Sequence, residues 1–136
     1  MVTDFQTGLA IATLWQEARG EDQTAREAVA HVIRNRMAKC YDSDGTIAGT
    51  VLKRWQFSGW MSARIARQSL RAVAIGGVLI TDLELAWDAA STEPDPTQGA
   101  VLYYSPESMR TPTSRPRWAS KAPYLTTIGP FRLYGA

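Results

Sequence analysis

The hydrophobic positions of this chain hold a helical period over most of its length and break it near the end. Phe5, Leu9, Ala12 and Trp15, with Ile11 and Leu14 beside them, recur at helical spacing behind a Thr3 or Asp4 cap. That stripe fades at Gly20, a residue suited to a helix end. A second helix is predicted next. Thr24 and Glu27 form a capping box for it, and Ala25, Ala28, Val29, Val32, Ile33 and Met37 make one apolar side. Arg26, Arg34 and Lys39 fall mostly off that side, as a solvated face requires.

The run "YDSDGTIAG" at 41–49 reads as loop, and "TVLKRWQFSGW" at 50–60 as a short apolar and aromatic segment. A third helix is expected over 62–75, carried by Ile65, Ser69, Leu70 and Val73 and stopped by the glycines at 76–77. A short fourth one should run from a Thr81 cap through Leu83, Leu85, Ala86 and Ala90. "STEPDPTQG" is a loop, and "AVLYYSP" at 100–106 is the best strand candidate, β-branched and aromatic between turn formers. The tail carries Pro112, Pro116, Pro123 and Pro130 and should be irregular, with Trp118, Tyr124, Leu125 and Ile128 pinning it to the body. A last pair of short strands fits 124–128 and 131–134. With no repeat and no linker, the expectation is one domain over 1–136, α+β and mainly α.

Composition narrows the class. At 136 residues the chain can bury a real core, and 45% hydrophobic with 21% charged residues is ordinary for a soluble globular protein. A net charge of +2 is too low for a dedicated nucleic-acid binder, although it favours approach to a polyanionic surface. The same low charge argues against reading the second helix, with Arg34, Arg36 and Lys39, as part of a DNA-binding helix-turn-helix. Cys40 and His31 are each alone, so neither a disulfide nor a Cys/His metal site is expected, and nothing calls for a cofactor. No apolar run approaches the roughly 20 residues of a membrane span.

The candidate chemistry lies in "LWQEARGEDQTAREAVAHVIRNR" at 14–36, where Glu17 and Glu21 stand four apart around Gly20. Glutamates near helix ends are commonly solvated. Glu17, however, closes an apolar helix just past Trp15, and a carboxyl held against such surface has its ionised form disfavoured. A general acid for glycosidic cleavage needs that property. Glu21 lies near the next helix N-terminus, where the anion is favoured. A catalytic pair is feasible by distance, since four residues along a helix bring Cβ atoms within roughly 5–6 Å. Gly20 argues for a break between them, so the preferred reading makes Glu17 the sole acid/base. Glu21 then organises the turn through Arg19 or Arg26.

"EARGE" followed by "AVAHVIRNR" resembles the cell-wall hydrolase family typified by the spore-cortex-lytic enzyme SleB. "WQFSGW" at 55–60, "DPTQGAVLYYSP" at 95–106 and "IGPFRLY" at 128–134 resemble further segments of that family in the same order. The closing segment has Phe131 where the family commonly has histidine, and 107–123 has no clear counterpart. The resemblance implies a lysozyme-like, lytic-transglycosylase-like fold with a small sheet beside a cleft. It also implies cleavage of peptidoglycan between N-acetylmuramic acid and N-acetylglucosamine, with the family's catalytic acid falling on Glu17. Several relatives leave 1,6-anhydro-muramyl ends, chemistry that suits one carboxylate. Hydrolysis would prefer a second, for which Asp42, Asp44, Asp82 and Asp95 are candidates.

A glycan cleft needs amide or hydroxyl donors and aromatic platforms. Gln56 and Ser58 are candidate donors, while Phe57 is expected in the core. Tyr103 and Tyr104 alternate along the predicted strand, so one should face in and the other toward the cleft. Trp60 and Trp118 are candidate platforms, weighed against ordinary packing. Asn35 and Arg36 are expected to be structural hydrogen-bonders, and His31 partly buried or at the surface. The rival of another class is a non-catalytic module that binds the wall or nucleic acid. "MVTDFQTGLAIATLW" has no basic leader, so the expected setting is a monomeric phage lysin. It would be made in the host cytoplasm without a Sec signal and reach peptidoglycan once the membrane is permeabilised, inserting into no membrane and binding no nucleic acid.

Overall fold

The computed structural model describes residues 4–54, 56–111 and 113–136. Helix α1 (Phe5–Ala18) is capped by Asp4, whose carboxylate accepts the Thr7 N–H at 2.8 Å; the Thr3 alternative lies outside the described residues. Leu9, Ala10, Ile11, Ala12 and Leu14 are all buried. A helix apolar on so much of its circumference belongs in the middle of a protein, and α1 packs against every other helix.

Helix α2 (Gln23–Lys39) begins two residues earlier than the capping box implied. Asp22 is the cap, accepting the Ala25 N–H at 3.0 Å, which leaves Thr24 inside the first turn. Cys40 ends the helix in the left-handed conformation, φ 50°. Across the end of the expected 41–49 loop runs a short helix, α3 (Ile47–Val51), capped by Thr46 and burying Thr50 and Val51. Five residues are too few to show a period in sequence. A single 3₁₀ turn at Ser58–Met61 leads into α4 (Ala63–Ile75), which Ser62 caps through the Ile65 N–H. Its inner face is Ser69, Ala72 and Val73, whereas Leu70, expected inside, is exposed.

Helix α5 (Val78–Thr92) starts at Gly77 instead of Thr81, whose hydroxyl bonds the Gly77 carbonyl at 3.0 Å. Gly76 and Gly77 both take positive φ, 78° and 109°, a backbone path that side chains with Cβ resist. Strands β1 (Leu102–Tyr104), β2 (Tyr124–Ile128) and β3 (Phe131–Tyr134) form an antiparallel sheet in the order β1-β3-β2. The final strands coincide with the expected 124–128 and 131–134. Val32 of α2 packs with Ala100 and Leu133, joining sheet to helices, with Leu125 and Ile128 alongside. Between β1 and β2 the chain makes an irregular excursion with 3₁₀ turns at Pro106–Ser108 and Arg117–Ser120. Trp118 pins it, its ring 5.1 Å from Tyr134 and 6.0 Å from Tyr104. The architecture is mainly helical with one small sheet, as expected.

The loop that delivers β1 is organised by one carboxylate. Asp95 accepts the Thr97 N–H and hydroxyl at 2.8 and 2.6 Å, the Gly99 N–H at 2.9 Å and the Asn35 amide at 2.9 Å. Burial pushes its pKa up, but these hydrogen bonds outweigh that and hold it below the usual carboxylate value. Asp95→Ala should therefore cost about 2–4 kcal/mol in urea unfolding at neutral pH, as several buried donors lose their acceptor. A group with a depressed folded pKa stabilises above its unfolded pKa and loses that contribution as pH falls through the folded one. The gap between parent and variant should accordingly shrink below about pH 4.

Candidate active site

A cleft of about 370 Å³ opens where the end of α1, the end of α2, the 56–58 segment and the sheet converge. Gln16, Glu17 and Glu21 line it from the α1 side, Arg36 from α2, Gln56 and Ser58 from the segment before α4, and Tyr103, Tyr104, Ser105 and Phe131 from the sheet side. The sequence thus brings Glu17, Glu21, Gln56, Ser58 and both tyrosines together.

Glu17 sits in the last turn of α1, and its carboxyl accepts a hydrogen bond from the Tyr103 hydroxyl. Burial raises the Glu17 pKa; the Tyr103 bond works the other way, and the net shift is upward. Tyr103 is pushed well above its own usual value by burial and by the adjacent Glu17, so its hydroxyl keeps its proton and remains a donor. Its ring meets Phe131 edge-on at 5.1 Å. Phe131 thereby places apolar surface beside the acid, where the family pattern has an imidazole.

Arg36 is buried, 4% exposed, and braces two walls of the cleft at once. Its Nε donates to the Val101 carbonyl at 2.6 Å, and Nη1 donates to the Gln56 Oε1. Val101 lies two residues before Tyr103, on the same side of the strand path, so the arginine also sets where Tyr103 stands. Burial pulls the guanidinium pKa down, opposed by Tyr103, Tyr41 and Asp42. Beside it, the Asn35 amide holds Asp95 and the Ala100 carbonyl, at 2.9 and 3.0 Å. Asn35 is structural, as expected; Arg36 is structural and also faces the cleft. His31 is fully inside, its Nδ1 3.5 Å from Asp95.

Other expectations need correction. The Glu21 carboxylate makes no ion pair with Arg19 or Arg26 among the described residues. Arg26 itself secures the turn, donating to the Ala18 and Arg19 carbonyls at 3.2 and 2.8 Å. Arg19 lies over the Trp15 ring at 3.9 Å and outside the cleft. Neither tryptophan is a platform there. Trp60 donates its Nε1–H to Thr13 at 2.9 Å and packs on the helical core, and Trp118 is the anchor described above. Phe57 is in the core as expected. Tyr104 is buried against Trp118 and Tyr134 yet contributes to the cleft, so both tyrosines reach it despite the strand alternation.

None of Asp42, Asp44, Asp82 and Asp95 lines the cleft, and Glu21 is the second carboxylate that does. Among the described residues no cluster of three or more His, Cys, Asp or Glu is placed to hold a metal ion. Sequence reasoning missed Gln16, which adjoins Glu17 and donates to Ser69 at 3.0 Å. Its position one residue before the acid was the available signal.

Two outcomes follow from the electrostatics. A carboxyl with a raised folded pKa stabilises fully below its unfolded pKa and loses that contribution as pH climbs through the folded value. Glu17→Gln should thus be at least as stable as the parent at pH 7, with the advantage vanishing near pH 4, as read by thermal unfolding across pH. Tyr103→Phe removes the donor that favours the anion. It should raise the Glu17 midpoint further, measurable by carboxyl-carbon NMR titration.

The cell wall hydrolase family profile matches residues 20–134, starting three residues after Glu17. Among solved structures, the catalytic domain of the germination-specific lytic transglycosylase SleB from Bacillus anthracis is similar. It is 23% identical, over 98% of this chain and 96% of that one, with a TM-score of 0.68. The catalytic domain of the Bacillus cereus SleB protein is similar at 25% identity, over 95% of this chain and 88% of that one, also with a TM-score of 0.68. No curated protein matches. A profile match over most of the chain, together with this fold and cleft, means that the chain belongs to the cell wall hydrolase family.

Proposed function

We propose that this protein cleaves peptidoglycan glycan strands between N-acetylmuramic acid and N-acetylglucosamine as a lytic transglycosylase, with Glu17 as both acid and base. The observation that carries this reading is the enclosed Glu17 carboxyl, raised in pKa and held by a tyrosine that keeps its proton. The lytic transglycosylase named among the similar structures supports it by analogy.

Protonated Glu17 gives its proton to the glycosidic oxygen as the bond to muramyl C1 breaks and oxocarbenium character develops. The resulting carboxylate keeps the Tyr103 hydrogen bond, which favours the anion at that moment and lowers the cost of parting with the proton. The muramyl C6 hydroxyl then attacks C1 while the Glu17 carboxylate accepts that hydroxyl's proton, closing a 1,6-anhydro ring and restoring the acid. Gln56 and Ser58 supply amide and hydroxyl groups for the sugar's acetamido and hydroxyl substituents. Arg36 holds Gln56 in place for that role.

A second reading has one observation in its favour: Glu21 lines the same cleft. As a base it would activate water and give a hydrolytic muramidase. Glu17→Gln should reduce clearing of a peptidoglycan suspension by about 10²- to 10⁴-fold under either chemistry. A non-catalytic wall-binding module would keep its whole effect. Glu21→Gln should leave most of the rate if C6 attacks, and remove it if water does. Mass spectrometry of the released muropeptides decides directly, with an anhydro-muramyl end expected and a reducing muramic end favouring hydrolysis.

A further inference from the structure

Helix α4 turns a row of guanidiniums to solvent. Arg64, Arg67 and Arg71 are all exposed and stand at offsets of three and four residues, so they form one line about 10 Å long. Ser69, on the opposite side, is fully buried and receives the Gln16 amide. The sequence of α4, "ARIARQSLRAVAI", contains no acidic residue. Like charges at these spacings repel by a few tenths of a kcal/mol per pair, where alternating charges would attract. Among the described residues no ion pair relieves the three. The three contribute +3 in a chain whose net charge is only +2. Gln68 and half-exposed Leu70 complete a shallow groove along it.

We propose that this arginine ridge is a second wall-contact surface, docking on the carboxylates of the peptide stems that peptidoglycan carries. The inference rests on the glycan-cleaving reading above and adds a partner to it. Guanidinium groups match carboxylates through paired N–H donors, and three in a row suit a polymer that repeats its carboxylates. A bilayer is a poorer fit. A helix that lies in a membrane interface keeps its apolar side free, whereas Ala72 and Val73 of α4 are packed on the core. Ile75 and Val78 are exposed, but only at the glycine turn beyond the ridge.

Position gives the ridge its use. Gln16 lines the cleft and touches the inner side of α4, so ridge and cleft are separated by about the thickness of a helix, roughly 10 Å. The stems gripped there belong to a strand or repeat other than the one being cut. Two-point attachment raises the effective concentration of the cleft on a meshwork and does nothing for a short soluble glycan.

The test combines R64Q, R67Q and R71Q. In a Glu17→Gln background, sedimentation with purified sacculi should show at least a tenfold loss of binding and a flatter salt dependence. Sacculi whose stem carboxylates have been converted to neutral amides should bind the unsubstituted ridge as weakly as native sacculi bind the triple variant. With Glu17 intact, the triple variant should raise the apparent KM on sacculi and leave cleavage of short stem-free glycans unchanged. Unaltered sedimentation of the triple variant, or indifference to amidation, overturns the proposal. So does a loss confined to phosphatidylglycerol vesicles or duplex DNA. Absence of any glycan cleavage by the parent protein would refute the catalytic reading instead, and the sedimentation result would still decide the ridge.

Discussion

The hydrogen bond from Tyr103 to Glu17 joins residues 86 apart in sequence, and the arrangement of the molecule around it follows from its demands. A carboxyl enclosed at the end of a buried helix cannot be left alone, because its anion has lost its water. It must be protonated or be given a donor. Here it has both options, and alternation between them is the chemistry proposed. That requires a hydroxyl fixed to within a fraction of an ångström, delivered by a strand of only three residues. Such a strand has little rigidity of its own. It borrows it from β3, which pairs Leu133 with Tyr103, from Phe131 against the ring, and from Arg36 on the carbonyl of Val101.

The end of α2 is accordingly the hub of the site. His31, Asn35 and Arg36 leave one helix in different directions and between them hold Asp95, the carbonyls of Ala100 and Val101, and Gln56. A buried cation with neutral acceptors is expensive, and burial does depress the Arg36 pKa. What it provides is fork geometry: one planar group can address two separate segments, which a lysine's single nitrogen could not.

Much of this was legible in the sequence, for reasons that differ by element. Helix α1 and the last two strands carry repeating patterns long enough, or turn residues clear enough, to be read directly. Helix α3 was not read because a single turn has no period. The caps at Asp22 and Gly77 were misplaced by two and four residues because Thr24 and Thr81 are chemically just as able to cap; only the packing of the preceding turn selects between them. Glu17 stood out because its helix is apolar and Trp15 is close. Its partner did not, since two adjacent tyrosines on one strand differ only in which neighbour each meets. Trp60 and Trp118 misled for a related reason: a flat ring that suits a sugar face suits a protein core equally well. Arg36 was legible as a structural hydrogen-bonder but the segments it braces were not, because those acceptors, the Val101 carbonyl and Gln56, come together only in the fold.

The excursion between β1 and β2 leaves the sheet beside Tyr104 and returns through Trp118, which rests on Tyr104 and Tyr134. Its two ends are thus clamped by rings whatever lies between them. Lengthening a loop so anchored is cheap, about 0.6 kcal/mol for each doubling of its length. Natural variation, or an engineer grafting foreign segments, could therefore reshape this rim without disturbing the Tyr103–Glu17 hydrogen bond a few residues away. Diversification of what the molecule grips and preservation of how it cuts are mechanically uncoupled.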